Sequence, residues 1–227
     1  MPGPLLGACC YSLVVQTTQG ADHDAAQQID ILPAAAADTQ RAAATLARAF
    51  SVDPHVVGLL PPGDVIGSLT VLWERIVRET LQAGGHAYLA ERRGEERPLG
   101  VALWEAPGSK VSIPRMLPGL LAYARVFRDR LPDALATEFL AHRQHPATPH
   151  WYLKAVGTLP DLQRTGVGSM LLNERLAHID REHTGAYLEA STLDLVPFYS
   201  RFGFISRGPV PSRGTVPAIG MWRPPVA

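Results

Sequence analysis

The chain has very little cysteine and no excess of charge of either sign. Its 227 residues include two cysteines, which lie side by side at Cys9 and Cys10. Neighbouring residues rarely satisfy the α-carbon separation of a disulfide, so a disulfide-stapled extracellular scaffold is excluded. Lysine plus arginine total 21, and aspartate plus glutamate also total 21. This balance gives no general attraction for polyanions, so we expect no nucleic-acid and no membrane partner.

Long apolar runs are also missing. Residues 1–21 carry no charged side chain, but the apolar stretch from Leu5 to Val15 is too short to span a bilayer. A Leu-Gly-Ala-Cys box at 6–9 is similar to a lipoprotein cleavage site, yet no Lys or Arg supplies a basic leader. We therefore expect residues 1–28 to be a disordered lead-in or an overlong start, and the protein to be soluble and cytoplasmic.

What the sequence does contain is the composition of one globular domain. Hydrophobic residues make up 46% of the chain and charged residues 19%, which suits a folded core rather than disorder. A chain of 227 residues fits one domain better than two. We predict a single domain over residues 29–227.

Hydrophobic spacing predicts a mixture of strands and helices after the lead-in. The predicted strands cover residues 29–32, 86–91, 99–105, 151–158, 186–190, 203–205 and 218–222. The predicted helices cover residues 39–50, 64–82, 114–130, 132–144, 166–182 and 194–201. This order indicates one α/β or α+β domain.

The clearest functional signal is a glycine-bearing turn between a strand and a helix. The strand at 151–158 is followed by the segment Arg164-Thr165-Gly166-Val167-Gly168-Ser169. The first amides of a helix have no intrahelical acceptor and lie at the positive end of its dipole. Because glycine has no side chain, a phosphate oxygen can approach these amides, and the Arg and Ser side chains add donors. The loop alone suits a pyrophosphate and a ligand-free tight turn equally well.

Two familiar phosphate motifs are excluded. The third glycine of a dinucleotide fingerprint would fall at Leu171, and the Lys-Ser/Thr tail of a nucleoside-triphosphate loop is absent. The longer stretch from Val156 to Leu172 instead resembles motif A of the GNAT superfamily of acyl-CoA N-acyltransferases. Downstream, Tyr187–Ser191 and Pro197–Phe204 resemble its motif B, which ends in F-Y-x-x-x-G-F.

The resemblance covers residues 150–206 firmly and extends faintly back to residue 29. It implies a GNAT fold with a mixed, mostly antiparallel sheet flanked by helices. It also implies acetyl transfer from acetyl-CoA to a primary amine, by direct attack in a ternary complex. The segments Trp151–Leu153 and Leu188–Ser191 are most similar to the bacterial group around puromycin N-acetyltransferase. The implied CoA-binding residues are Val156, Gly157, Thr158, Arg164, Thr165, Gly166, Val167, Gly168 and Ser169.

Two side chains are candidates for the catalytic chemistry. The resemblance implies that Tyr199 is the acid that protonates the CoA thiolate, with a packed aromatic residue as the alternative. Glu189 is the candidate base, because a carboxylate within an apolar strand is costly unless it is paired or functional. An outward-facing charge or a partner for Arg201 is the alternative for Glu189.

The histidines and the acceptor leave more open. His142, His145 and His150 form the densest histidine group, but no metal-binding motif accompanies them. We therefore expect solvated histidines and no metal. The segment 107–149 is expected to border the acceptor cleft. The expected acceptor is a small-molecule amine. The alternatives are a protein or peptide acceptor and a non-catalytic acyl-CoA sensor. A homodimer is possible.

Overall fold

A seven-stranded sheet organises the computed structural model, which describes residues 28–108 and 119–226. The strand order is β1-β2-β3-β4-β5-β7-β6. All neighbours are antiparallel except the parallel pair β4 and β5. The strands are β1 (Ile29–Pro33), β2 (His86–Arg92), β3 (Gly100–Glu105), β4 (His150–Thr158), β5 (Gly185–Ala190), β6 (Ile205–Pro209) and β7 (Ile219–Arg223).

Helices cover both faces of this sheet, as the two buried clusters show. One cluster joins the helix α6 (Val167–Arg181) to β4 and β5 through residues such as Leu172, Leu153 and Leu188. The other joins the helices α1 (Thr39–Ala49) and α3 (Val65–Gln82) to β2 and β3 through Leu46 and Leu69. The predicted fold class is therefore confirmed. The described helices are α1 (Thr39–Ala49), α2 (Pro54–Val57), α3 (Val65–Gln82), α4 (Leu120–Phe127), α5 (Leu131–His142), α6 (Val167–Arg181) and α7 (Val196–Ser200).

Several predicted element bounds are wrong. The sequence pattern predicts that Asp53-Pro54 only ends a helix, but Asp53 also caps α2, because its Oδ1 accepts from the amides of His55 and Val56 at 3.0 Å. The strand predicted at 203–205 begins at Ile205, since Gly203 occupies a turn with φ of +83°. Of the helix predicted at 114–130, residues 114–118 lie outside the described residues. Most of the predicted lead-in lies outside them too.

The strands β4 and β5 separate part of the way along the sheet. Their parallel pairing runs from His150 opposite Gly185 to Leu153 opposite Leu188. Across the other edge of β4, Trp104 lies opposite Leu153 and Leu103 lies opposite Ala155, so Lys154 is an extra residue in β4. Such a bulge bends its strand and increases the local twist. The bulge thus coincides with the point where the sheet splits.

Candidate active site

The split exposes one backbone edge of β4. The Leu159 amide donates to the Leu99 carbonyl at 2.9 Å, on the β3 side. Backbone groups alternate between the two edges of a strand, so the amides of Val156 and Thr158 face the β5 side. No strand among the described residues pairs with that edge beyond Leu153. An extended ligand can therefore hydrogen-bond to this edge as an added strand would.

The turn before α6 presents free amides beside this edge. Gly166 is the N-cap of α6 and adopts a left-handed conformation with φ of +100°, which glycine tolerates best. No side chain within the described ranges caps this helix end, and the Thr165 hydroxyl donates to the Leu162 carbonyl instead. The first-turn amides of Val167, Gly168 and Ser169 therefore have no helical acceptor. This helix end fits a diphosphate.

The three glycines of the predicted CoA site differ in the atoms that surround the position a Cβ would occupy. A Cβ on Gly166 would meet nothing within 4 Å, so the space beside it is open. A Cβ on Gly168 would make ordinary contacts with Phe198 and Thr158, at 3.7 and 3.8 Å. A Cβ on Gly157 would lie 2.8 Å from the Cβ of Ala49. Close packing of α1 therefore explains Gly157, whereas open space favours ligand approach at Gly166. Arg164 is exposed in the same turn.

A cavity of about 750 Å³ lies on the α1 and α3 side of the split. Four carboxylates line it but only two permanent cations, so it favours a positively charged ligand. The charged lining residues are Glu79, Glu105, Glu138, Glu189, Arg75 and Lys154. Much of the remaining wall is apolar, and its larger side chains include Phe50, Leu59, Leu72, Trp73, Ile76, Phe127 and Leu131.

Glu189 brings a buried carboxylate to this cavity. Its Oε2 accepts from the Tyr152 hydroxyl at 3.2 Å, whereas its Oε1 is buried and has no hydrogen-bond partner among the described residues. Burial, followed by the charge of Glu138, raises the pKa of Glu189 to about 7. A carboxylate with this pKa suits a general base near neutral pH. Arg201 lies over the Phe198 ring instead of pairing with Glu189.

The bulged Lys154 sets the charge of the same cavity. Its Nζ lies 2.7 Å from Glu138 and 3.9 Å from Glu105. Burial acts to lower the pKa of Lys154, but the two carboxylates outweigh it, so the net shift is upward and the ammonium stays charged. Its positive charge in turn acts to lower the pKa of Glu189.

Tyr199 is buried on α7, with 7% of its surface exposed. Its ring packs against Phe198 at 5.0 Å between centroids. Burial and the charge of Asp53 raise its pKa, so the phenol stays protonated at neutral pH. Oδ2 of Asp53 accepts a hydrogen bond from the Ser191 hydroxyl at 2.5 Å. Ser191 directly follows β5 and lines the cavity. Asp53 therefore acts on Tyr199 through its charge and on the end of β5 through its hydrogen bond with Ser191.

The sequence interpretation of the histidines is wrong for two of the three. His142 is exposed, but His145 and His150 are partly buried, and His145 Nε2 lies 3.7 Å from Glu189 Oε1. No local pattern reveals this, because the contact joins the segment before β4 to the end of β5. Within residues 28–108 and 119–226, no group of three or more His, Cys, Asp or Glu side chains is arranged to hold a metal ion. No helix in these ranges has the length and apolarity to cross a membrane.

Comparisons with known proteins define the class. A model described as an acetyltransferase (GNAT) domain matches residues 139–223. A solved structure from Corynebacterium glutamicum, described as histone acetyltransferase HPA2 and related acetyltransferase, is 31% identical. The match covers 88% of this chain and 97% of that chain, with a TM-score of 0.69. The chain belongs to the GNAT family of acetyltransferases.

More distant structures share the fold. Arylalkylamine N-acetyltransferase 2 from Aedes aegypti is 15% identical, with a TM-score of 0.58 over 87% of this chain and 99% of that chain. An agmatine N-acetyltransferase variant is 13% identical, with a TM-score of 0.61 over 86% of this chain and 96% of that chain.

Proposed function

We propose that the protein transfers an acetyl group from acetyl-CoA to the primary amine of a small molecule, by direct attack in a ternary complex. One observation carries the proposal. Glu189, whose pKa is raised to about 7 and whose Oε1 has no hydrogen-bond partner in the described part of the chain, lines an acidic cavity beside the open edge of β4. This arrangement supports binding of the amine in the cavity and of the thioester along the free edge of β4.

The residues available for CoA support the proposed donor. The amides at the start of α6, with the Arg164 side chain, would hold the diphosphate. The free edge of β4, which carries the backbone groups of Val156 and Thr158, would pair with the amides of the pantetheine arm. The bound thioester supplies an activated acetyl carbonyl. The Val156 amide, on the free edge, is the proposed donor to the oxyanion that develops there.

The proposed chemistry begins with the ammonium form of the acceptor. Glu189 takes one proton from it, which frees the nitrogen lone pair for attack. Attack forms the carbon–nitrogen bond, and the nitrogen then gives up its second proton to solvent. The carbon–sulfur bond breaks as the oxyanion collapses, and the CoA thiolate gains a proton. Tyr199 is the proposed donor. Because its pKa is raised above that of an ordinary thiol, the transfer is uphill, and return of a proton from solvent completes it.

The cavity supports a small acceptor with an apolar body and a cationic amine. Its volume of about 750 Å³ lies in the range of small-molecule sites. Two structures that share the fold are described as acetyltransferases of arylalkylamines and of agmatine, which are both small amines. The resemblance to the puromycin N-acetyltransferase group adds aminonucleosides to the candidate acceptors.

A mass-spectrometric screen tests the proposal. Purified protein and acetyl-CoA are mixed with arylalkylamines, aminonucleosides, aminoglycosides, polyamines and peptides, with the Glu189→Gln variant in parallel. We expect a product heavier by one acetyl group from a small amine, made far more slowly by the variant. Products confined to peptides would overturn the small-molecule assignment. CoA binding without any product across the panel would favour a sensor over an enzyme.

A further inference from the structure

His145 packs against two tyrosine rings next to the proposed base. Its ring centroid lies 4.5 Å from that of Tyr152 and 4.6 Å from that of Tyr187. This packing directs Nε2 of His145 toward Oε1 of Glu189, at 3.7 Å. That oxygen is the one without a hydrogen-bond partner among the described residues. The other ring nitrogen, Nδ1, lies 3.3 Å from Nε2 of His150.

The protonated nitrogen of each histidine ring can be deduced from the hydrogen bond that His150 makes with Thr148. His150 Nδ1 lies 2.7 Å from the Thr148 carbonyl oxygen. A carbonyl only accepts hydrogen bonds, so His150 Nδ1 carries a proton and Nε2 of neutral His150 is an acceptor. His145 must therefore donate from Nδ1, which leaves the lone pair of its Nε2 facing Glu189. Burial, followed by the neighbouring histidines, lowers the pKa of His145 to about 3, so the ring is neutral.

This tautomer fits one protonation state of Glu189 better than the other. When Glu189 is ionised, its Oε1 and the His145 nitrogen are both acceptors with no proton between them. The separation of 3.7 Å, too long for a hydrogen bond, agrees with such a pair. When Oε1 gains a proton, the carboxyl finds an acceptor already in place. A hydrogen bond to the neutral form favours that form.

We infer that His145 is a positioning residue for acetyl transfer: locked by His150 as the Nδ1-protonated tautomer, it accepts a hydrogen bond from Glu189 once Glu189 has taken the proton of the acceptor amine. The inference rests on the proposed role of Glu189 as base. No bond other than the N–H bond of the amine breaks in this step, and its proton moves to Oε1.

Other charged and titratable groups surround this pair, and the variants at His145 and His150 leave them unchanged. They come from β3, β4, β5, β6 and α5. All but Glu105 act on Glu189 or the two histidines through their charge or hydroxyl groups, and Glu105 acts on Tyr152 and Lys154. They are Glu105, Tyr152, Lys154, Tyr187, Arg207, Glu138 and His142.

The tautomer is tested by NMR on the whole protein, without any substrate. Nitrogen-15 shifts of the His145 ring at pH 8 are expected to report a proton on Nδ1. Carbon-13 detection of the carboxyl of Glu189 follows its titration in the wild type and in His145→Gln. Glutamine has an amide N–H that can donate to the carboxylate, so we expect the midpoint to fall by about one pH unit or more. A proton on Nε2 of His145, or an unmoved midpoint, would overturn the inference.

The pH dependence of kcat/KM gives a second readout, which a merely structural role would not move. Protonation of Glu189 removes the base, so the rate falls on the acid side near pH 7 in the wild type. The acid limb should move to lower pH in His145→Gln. In His150→Phe the tautomer of His145 is no longer fixed, so the acid limb should also move to lower pH, but by less than in His145→Gln. His142→Asn is the matched control and should leave the limb in place.

The two readouts separate this inference from the proposed function. If Glu189→Gln keeps full activity, Glu189 is not the base, yet the NMR titration still decides how His145 acts on the carboxyl. If the NMR midpoint moves but the acid limb does not, the pair exists without serving the reaction, and the positioning role is rejected. Equal shifts in both readouts support it.

Discussion

Glu189 is buried, and its Oε1 has no hydrogen-bond partner among the described residues. Burial costs stability, whereas the raised pKa that burial produces suits Glu189 to act as a base. Burial raises its pKa from 4.5 to about 7, so the folded state binds the proton more tightly than the unfolded state does. Stability is therefore lost as pH rises between these two values, and above pH 7 the ionised carboxylate costs on the order of 3 kcal/mol. A side chain kept at such a cost is a functional candidate.

Replacing Glu189 with Gln should separate the two effects. Without the base, kcat should fall by about 100-fold or more. The same variant should unfold at a higher temperature than the wild type at pH 8, because the penalty of ionisation disappears. Steady-state kinetics and thermal unfolding at pH 5 and pH 8 check both parts. A variant that keeps its rate and its pH profile places the base elsewhere.

Tyr199→Phe tests the proposed acid at one atom. The ring and its packing on Phe198 are retained, so the variant should fold normally and bind CoA as the wild type does. Loss of the donor should reduce kcat by about tenfold or more, when chemistry limits the rate. Single-turnover kinetics make this measurement. An unchanged chemical step would reduce Tyr199 to a packing residue.

At this scale the sequence predicts candidate residues but not their surroundings. Glu189 stands out because the residues around it in the strand are apolar, and Tyr199 stands out through the family motif. Glu138 carries no such signal. Tyr152 belongs to a family motif and His145 to the histidine group, but nothing in the sequence indicates that either lies beside Glu189. Their effects depend on distances of a few ångströms between segments that are far apart in the chain.

Among the elements, the bulge in β4 does two things at once. It marks where β4 leaves β5, and it turns Lys154 toward Glu138 and Glu105. The same element therefore provides a free edge for the proposed donor and sets the charge around the proposed base.

Lys154→Met should move the pH profile in the opposite direction to His145→Gln. The ammonium of Lys154 acts to lower the pKa of Glu189, so its removal should raise that pKa. The base is then protonated at neutral pH, and the acid limb of kcat/KM should move to higher pH. Lys154→Arg keeps the charge and is the control. A limb that stays in place in Lys154→Met would show that Lys154 does not tune Glu189.

The turn at the start of α6 allows a matched comparison of glycines. Gly166→Val places a branched side chain at a left-handed position, at a cost of about 1–2 kcal/mol, and it also obstructs the free amides. Its affinity for CoA should fall tenfold or more. Gly166→Asn should keep more stability, because asparagine tolerates this conformation.

Gly168→Ala is the control for this comparison, since its Cβ would make only ordinary contacts. It should fold as the wild type does. Thermal unfolding and calorimetric titration with CoA check all three variants. Wild-type affinity in Gly166→Val would remove the diphosphate from this turn.

For the whole molecule, the sheet separates the proposed binding regions. The turn before α6 belongs to one layer, the acidic cavity lies in the other, and the split between β4 and β5 connects them. Hydrophobic periodicity is a local property, so the sequence alone predicts the strands and helices, and their order gives the fold class. The strand order, the split and the cavity arise from contacts between distant segments. The short helix α2 is missed because a proline ends one pattern and begins the next.

A single-turnover experiment distinguishes direct acetyl transfer to the amine from transfer through an acetylated protein. The protein, loaded with acetyl-CoA, is mixed with an amine that the screen identifies, and the amide, free CoA and the mass of the intact protein are followed together. If the amine attacks the thioester directly, one amide forms for each CoA released, and no acetylated protein is seen at any time. An acetylated protein that forms before the amide, or release of CoA without any amide, would contradict it.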